Sequence, residues 1–146
     1  MDMKLKIGSA GLAAKMEGVV IQPMIKGAQE MIVGMSIDPL FGPLVMIGLG
    51  GIQVELIKDV AFSIHPLRDL VPGRMLDQLK SFPLPTGWRG RPPGDVGALK
   101  ETLLRFSAII EDFPEIDQME INPLLVLEDG RGCVAIDARI YIRPQT

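Results

Sequence analysis

The chain has 146 residues, 47% of them hydrophobic and 23% charged, with a formal charge of −3 and a pI near 5.1. A chain of this length buries roughly 70% of its unfolded surface in one core, and its acidic balance excludes the basic stripe that a nucleic-acid binder needs. The apolar stretch 43–52 is too short for a membrane helix of about 20 residues and is interrupted by Gly48, Gly50 and Gly51.

In chain order, residues 1–14 hold no apolar signal core, and residues 1–18 form an atypical N-terminal segment ahead of a single domain over 19–146. Residues 19–25 and 29–37 are rich in Val, Ile and Met and are parted by Lys26-Gly27-Ala28, so both read as strands. Asp38-Pro39-Leu40-Phe41-Gly42-Pro43 reads as a turn, 44–47 as a third strand, and the glycine cluster 48–51 as its break. Residues 52–57, extended or a helical turn, and 60–64 follow as short segments. Residues 68–82 read as a helix despite Pro72-Gly73, because Met75, Leu76, Leu79 and Phe82 recur at helical spacing. The stretch 83–94, dense in proline and glycine, is a long loop, and loops of that length are functional or disordered.

The clearest helix is 95–113. Asp95 caps it, Val96, Leu99, Leu103, Phe106, Ile110 and Phe113 mark one face, and Pro114 stops it. Met24, Met31, Met35, Met46, Met75 and Met119 fall at apolar periodic positions and read as core. Strands, then helices, then a hairpin give an α+β fold, with helices packed on a mostly antiparallel sheet.

That hairpin is the informative stretch. Met119-Glu120-Ile121-Asn122-Pro123-Leu124 and Ala135-Ile136-Asp137-Ala138-Arg139 both alternate apolar with polar residues, and Glu128-Asp129-Gly130-Arg131 makes a natural four-residue loop between them. With Leu127 and Gly132 flanking the loop, Asn122 faces Asp137 and Glu120 faces Arg139. Met119, Ile121, Leu125, Val134, Ile136 and Ile140 would then form the core face. Opposed side chains on one face sit roughly 5 Å apart at Cβ. The polar face is compatible with plain solvation. It also suits a hard cation such as Mg²⁺, which takes few protein ligands and completes its shell with phosphate and water.

The run Glu120-Ile121-Asn122-Pro123-Leu124 followed by Ile136-Asp137 resembles the metal-binding hairpin of the ATP-grasp domain in NDP-forming acyl-CoA synthetases, the group that includes ADP-forming acetyl-CoA synthetase and succinyl-CoA synthetase. Val20-Ile21-Gln22-Pro23-Met24-Ile25-Lys26-Gly27, Glu30-Met31-Ile32-Val33-Gly34, Gly48-Leu49-Gly50-Gly51-Ile52, Trp88-Arg89-Gly90 and Asp112-Phe113-Pro114-Glu115 fall in the same order as in that family, so the likeness covers about residues 19–142. It implies the C-terminal ATP-grasp lobe, with ATP or ADP and Mg²⁺ as cofactors and Asn122 and Asp137 as metal ligands. Glu120 would be a further metal-site carboxylate or the partner of a phosphohistidine loop. Gln22 and the amide of Met24 or Ile25 would meet adenine, since Pro23 has no N–H to donate. Glu30 would lie near the ribose, and Gly50 and Gly51 would bring backbone amides to phosphate. Arg89 and Arg91 suit phosphate, the CoA-bearing subunit or plain solvent.

The phosphate-carrying histidine of that family sits on another domain or subunit, and nothing around His65 matches its motif, so His65 reads as structural. Cys133, the single cysteine, excludes an internal disulfide and suits a reducing compartment, the cytoplasm. The lysine-bearing N-terminal lobe and the CoA-binding domain have no counterpart in these residues, so both are expected as partners on another chain, with a homodimer through 19–37 or the adjoining sheet face as a further possibility. The alternative to a catalytic lobe is a non-catalytic interaction or regulatory module derived from one.

Overall fold

The computed structural model describes residues 20–50, 59–80, 87 and 92–144. The segment 52–57, Gly51, Arg89 and Arg91 lie outside them. Eight elements follow in order: β1 (Gln29–Asp38), β2 (Gly42–Leu49), β3 (Val60–Ile64), α1 (Val71–Gln78), α2 (Val96–Asp112), β4 (Ile116–Val126), β5 (Cys133–Ala135) and β6 (Ala138–Ile142). The strands form one antiparallel sheet in the order β3-β2-β1-β4, and β5 and β6 share the outer edge of β4. This is an α+β fold with both helices on one face of the sheet.

The β1–β2 turn closes on Asp38, whose Oδ1 accepts from the amides of Leu40 at 2.8 Å and Phe41 at 3.0 Å. Gly42 completes it in the left-handed region at φ 74°. Strand β2 does not stop at the glycines. Gly48 and Leu49 stay in the ladder, paired with Ile32 and Met31, and Gly50 donates to the Glu30 carbonyl at 2.8 Å. The glycines lie where backbones approach closely: a Cβ on Gly48 would sit 2.7 Å from Val60 Cγ1, and one on Gly50 would sit 2.8 Å from the Met31 amide nitrogen.

Helix α1 is shorter than the spacing predicted. It begins at Val71 with Pro72 in its first turn, where no amide is needed, and ends as Leu79 turns extended. Helix α2 runs as expected, with Asp95 as its cap, and Leu99, Leu103, Phe106 and Ile110 are buried. Phe113, beyond the last turn, is exposed. The core lies between the helices and the sheet face that presents Met31, Val33, Met35, Val45, Ile47, Met119, Leu124 and Val126. Burial of each large apolar side chain there contributes about 1.5–3 kcal/mol. No helix among the described residues is long and apolar enough to cross a membrane.

Two expectations about the N-terminal half need correction. Residues 20–28 form no strand, and Val20, Ile21 and Met24 are 84%, 90% and 83% exposed, so Met24 is not core. Hydrophobic content alone does not make a strand when no neighbouring strand offers a ladder. Strand β1, the rest of the proposed dimer edge, is central and hydrogen-bonded to β2 on one side and β4 on the other, so it has no free edge to offer a second copy.

Candidate metal centre

Strand β4 is interrupted where the chemistry lies. Its register with β1 runs from Met31↔Leu124 to Val33↔Ile121, so Asn122 and Pro123 lie together opposite Ile32. Proline has no N–H for the ladder, and a two-for-one bulge accommodates that gap. The outer edge keeps the register that the loop implied. Glu120 lies across from Arg139 before the bulge and Leu125 from Val134 after it, while the Asn122 amide donates to the Asp137 carbonyl at 3.0 Å and the Ile136 amide to the Pro123 carbonyl at 3.1 Å.

The bulge also reverses which residues face the core. Met119 and Ile121 pack inward before it, Leu124 and Val126 after it. Leu125 and Val134 therefore turn to the opposite face and Ile136 is 44% exposed, contrary to the uninterrupted alternation read from the sequence, while Ile140, across from core-facing Met119, is 54% exposed on the outer strand β6.

The face away from the helices is open. It carries Ile32, Gly34 and Ser36 from β1, Leu44 and Met46 from β2, Phe62 from β3, Gln118 and Glu120 from β4 and Tyr141 from β6, which with Met35 and Met119 line a shallow pocket of about 220 Å³. Beside it stand the expected polar groups. The Asn122 side-chain nitrogen donates to Glu120 Oε1 at 3.0 Å. That bond leaves the Asn122 carbonyl oxygen, a hard donor, on an exposed side chain whose backbone is bonded to that of Asp137. Although the two residues are opposed in the ladder, the Arg139 guanidinium does not form an ion pair with Glu120. Its Nη2 lies 3.4 Å from Asp137 Oδ2. Among the described residues no three His, Cys, Asp or Glu side chains converge as a metal cage. A cation here would take two protein oxygens and fill its shell from phosphate and water, a fit for Mg²⁺.

The other expected site residues lie at varied distance from this patch. Glu30 is exposed on β1, paired with Leu125. Gln22 and Met24 are exposed and Ile25 half-buried in the irregular segment before β1. His65 is structural: its Nε2 lies 3.1 Å from the Ser107 carbonyl of α2, and burial pushes its pKa down against the opposing pull of Glu111. Cys133 is half-buried beside the core and burial raises its pKa, which fits a packing residue. The sequence reading missed Ser107, buried on the apolar side of α2 and accepting from the Leu67 amide at 2.9 Å. It also missed Tyr141 and Phe62 as pocket walls; the alternation Asp137-Arg139-Tyr141 was the available signal for the tyrosine.

Asp95 anchors the hairpin. Its Oδ1 caps α2 at Ala98 N (2.9 Å), its Oδ2 accepts from Gly132 N (2.9 Å), and its own amide donates to the Leu127 carbonyl at 2.8 Å. The Ala98 amide most of all and the Gly132 amide next hold the carboxyl below its ordinary value against an upward push from desolvation, and the Gly130 amide adds a smaller downward pull. The folded pKa is thus below the unfolded one. The stabilisation is present above the unfolded value and is lost as pH falls through the folded one. Asp95→Ala should lower the melting temperature by roughly 3–8 °C at pH 7, with the gap to the parent chain narrowing below about pH 4. Thermal melts across pH that show a constant gap would exclude the charged cap.

The comparisons with known proteins bear on the family and the fold. A model of the ATP-grasp domain matches residues 1–142, so the match includes the segment 1–18 set apart above. The ADP-forming 4-hydroxybutyrate–CoA ligase of Nitrosopumilus maritimus is 42% identical over 127 residues, 87% of this chain and 18% of that protein. Subunit beta of the ADP-forming acetate–CoA ligase II of Pyrococcus furiosus is 40% identical over 131 residues, 89% of this chain and 56% of that protein. Among solved structures, the dinucleotide-forming acetyl-coenzyme A synthetase 1 of Ca. Korarchaeum cryptofilum, in complex with coenzyme A and Mg-AMPPCP, superposes with a TM-score of 0.75 at 39% identity, covering 84% of this chain and 55% of that one. The chain thus spans about half the length of the beta subunit that it matches. With an open antiparallel sheet carrying Glu120, Asn122 and Asp137 on one hairpin, and with relatives of this kind along nearly its whole length, the chain belongs to the ATP-grasp family, as a homologue of the ADP-forming acyl-CoA synthetases.

Proposed function

We propose that the open sheet face is the nucleotide- and Mg²⁺-binding surface of an NDP-forming acyl-CoA synthetase, which interconverts acyl-CoA, NDP and phosphate with acid, CoA and NTP. The observation that carries this reading is the Asn122–Glu120 bond at 3.0 Å, which commits the amide nitrogen and leaves the carbonyl oxygen for a cation next to Asp137. Asn122 and Asp137 would hold Mg²⁺, ATP or ADP would bring the phosphates that complete its shell, and the metal would neutralise charge on them.

The other residues take supporting roles. The Gln22 carbonyl and the amide of Met24 or Ile25 lie along the base and Glu30 faces the ribose, whereas the Gly50 amide is already spent on the Glu30 carbonyl and has no N–H to offer phosphate. Glu120 accepts from the imidazole N–H of a partner's phosphate-carrying histidine, which orients the ring so that its other nitrogen exchanges the phosphoryl group. The partners are the lysine-bearing lobe and the CoA-binding, histidine-bearing subunit, in the cytoplasm. This domain, over 19–146, contributes one wall of the clamp. A pocket of about 220 Å³ is small for a ligand site. Affinity of the 146-residue chain for Mg-ADP alone should therefore be weaker than micromolar.

Paramagnetic broadening tests the assignment. Substoichiometric Mn²⁺ added to the chain should first erase the amide signals of residues 120–122 and 136–138, and Asp137→Ala should abolish that selectivity. Broadening centred elsewhere, or unchanged in the variant, would overturn the assignment.

A further inference from the structure

The polar half of the open face has an unbalanced charge pattern. Its strands present two carboxylates, Glu30 and Glu120, with Asp137 in the bend between β5 and β6. Among the described strand residues on that face, Arg139 is the sole cation. Its guanidinium is not spent on Glu120, the residue directly across the ladder. It reaches two residues back along its own chain to Asp137 Oδ2, at 3.4 Å. Both side chains are more than half exposed, and an exposed pair of that length adds little stability. A loose contact of this kind is readily exchanged. Asp137 Oδ2 therefore already has a positively charged neighbour where the metal reading needs a second positive charge, and two cations cannot both stay close to one carboxylate without mutual repulsion.

We propose that Arg139 is a built-in competitor for the metal position: its guanidinium neutralises Asp137 in the metal-free protein, and a divalent cation must displace it to bind. Arg139 is in this sense a positioning residue. Its charge, 3.4 Å from Asp137 Oδ2, sets the affinity and salt dependence of metal binding. The inference rests on the reading of Asn122 and Asp137 as ligands.

The test uses Mn²⁺ alone, with the free ion counted by its electron paramagnetic resonance signal, so no turnover is needed. Arg139→Met keeps the length of the side chain without the charge. It should bind Mn²⁺ about tenfold more tightly than the parent chain at low ionic strength. The advantage should shrink as KCl is raised to about 0.5 M, because screening weakens the competing charge. Arg139→Lys retains the charge and should stay within about twofold of the parent. Arg139→Gln stands in if melting curves show that the methionine variant is misfolded.

Equal or weaker Mn²⁺ binding by the uncharged variants would overturn the competitor role while leaving the metal site intact. If the parent, the uncharged variants and Asp137→Ala all bind Mn²⁺ alike, or none binds it at millimolar concentration, the ligand assignment itself fails and the competitor role falls with it. A tighter uncharged variant whose advantage does not shrink with salt would point to steric relief and would likewise overturn the electrostatic account.

Discussion

Phe106→Ala should destabilise the fold by about 3–5 kcal/mol, the range for removal of a fully enclosed aromatic ring. Phe106 is 2% exposed and is among the largest buried side chains of the core. It lies on α2, between Leu103 and Ile110, on the stripe that meets the sheet. The next residue, Ser107, ties the helix to the chain before α1 through the Leu67 amide and the His65 ring. Those polar contacts restrain α2 from sliding inward to fill the gap, so the cavity should persist and the loss should fall near the top of the range. Urea denaturation of both chains measures it. A loss below about 1 kcal/mol would mean that the helix can repack, and that the Ser107 contacts do not fix its height over the sheet.

Gly50→Ala should cost about 3 kcal/mol, toward the upper end for forcing atoms into a packed site. The added Cβ would lie 2.8 Å from the Met31 nitrogen and 2.9 Å from the carbonyl carbons of Glu30 and Met31. All three are backbone atoms of β1, held by ladders on both sides, so no side chain can swing clear. Gly97 is the control. A Cβ there meets only Asp95 Oδ1 at an ordinary 3.5 Å, so Gly97→Ala in the first turn of α2 should stabilise by about 0.5–1 kcal/mol. Thermal melts in which both variants shift the same way would contradict the packing argument. The result also bears on the phosphate role expected of Gly50 from the sequence, because a close strand crossing already accounts for glycine at that position.

The parts of the fold legible in the sequence were those specified by short-range rules. Helix α2 announced itself because Asp95 supplies a cap and its apolar residues recur at steps of three and four. The β4–β5 hairpin did so because Glu128-Asp129-Gly130-Arg131 fixes the loop, and the loop fixes the register that brings Asn122 to Asp137. What failed was the extrapolation of a period of two through Pro123. The bulge there shifts the phase by one, so Leu124 and Val126 enter the core where Leu125 was expected. The glycines at 48–50 were read as a break because their reason is tertiary: the nearness of β1 and β3 is invisible in the local sequence. The apolar run at 20–25 misled for the same reason in reverse, since nothing local says whether a strand will find a neighbour. The Arg139 partner was missed because opposition across a ladder and proximity along one strand both place a carboxylate within reach, and only coordinates choose between them.

The central place of β1 has a consequence for how the chain comes to be folded. One of its neighbours, β2, follows after a tight turn and can pair as soon as it is synthesised. The other, β4, belongs to the last quarter of the sequence. A nascent chain therefore carries β1 with one edge bare while β3 and both helices emerge, and it must close a long loop before the sheet is whole, a slow step that leaves an adhesive edge open to other chains. The hairpin bearing Asn122 and Asp137 is built on that same late strand. Chains stalled before residues 116–126 should aggregate, and the proposed metal centre should have no partially assembled form: its two candidate ligands are brought together in the same event that closes the middle of the sheet.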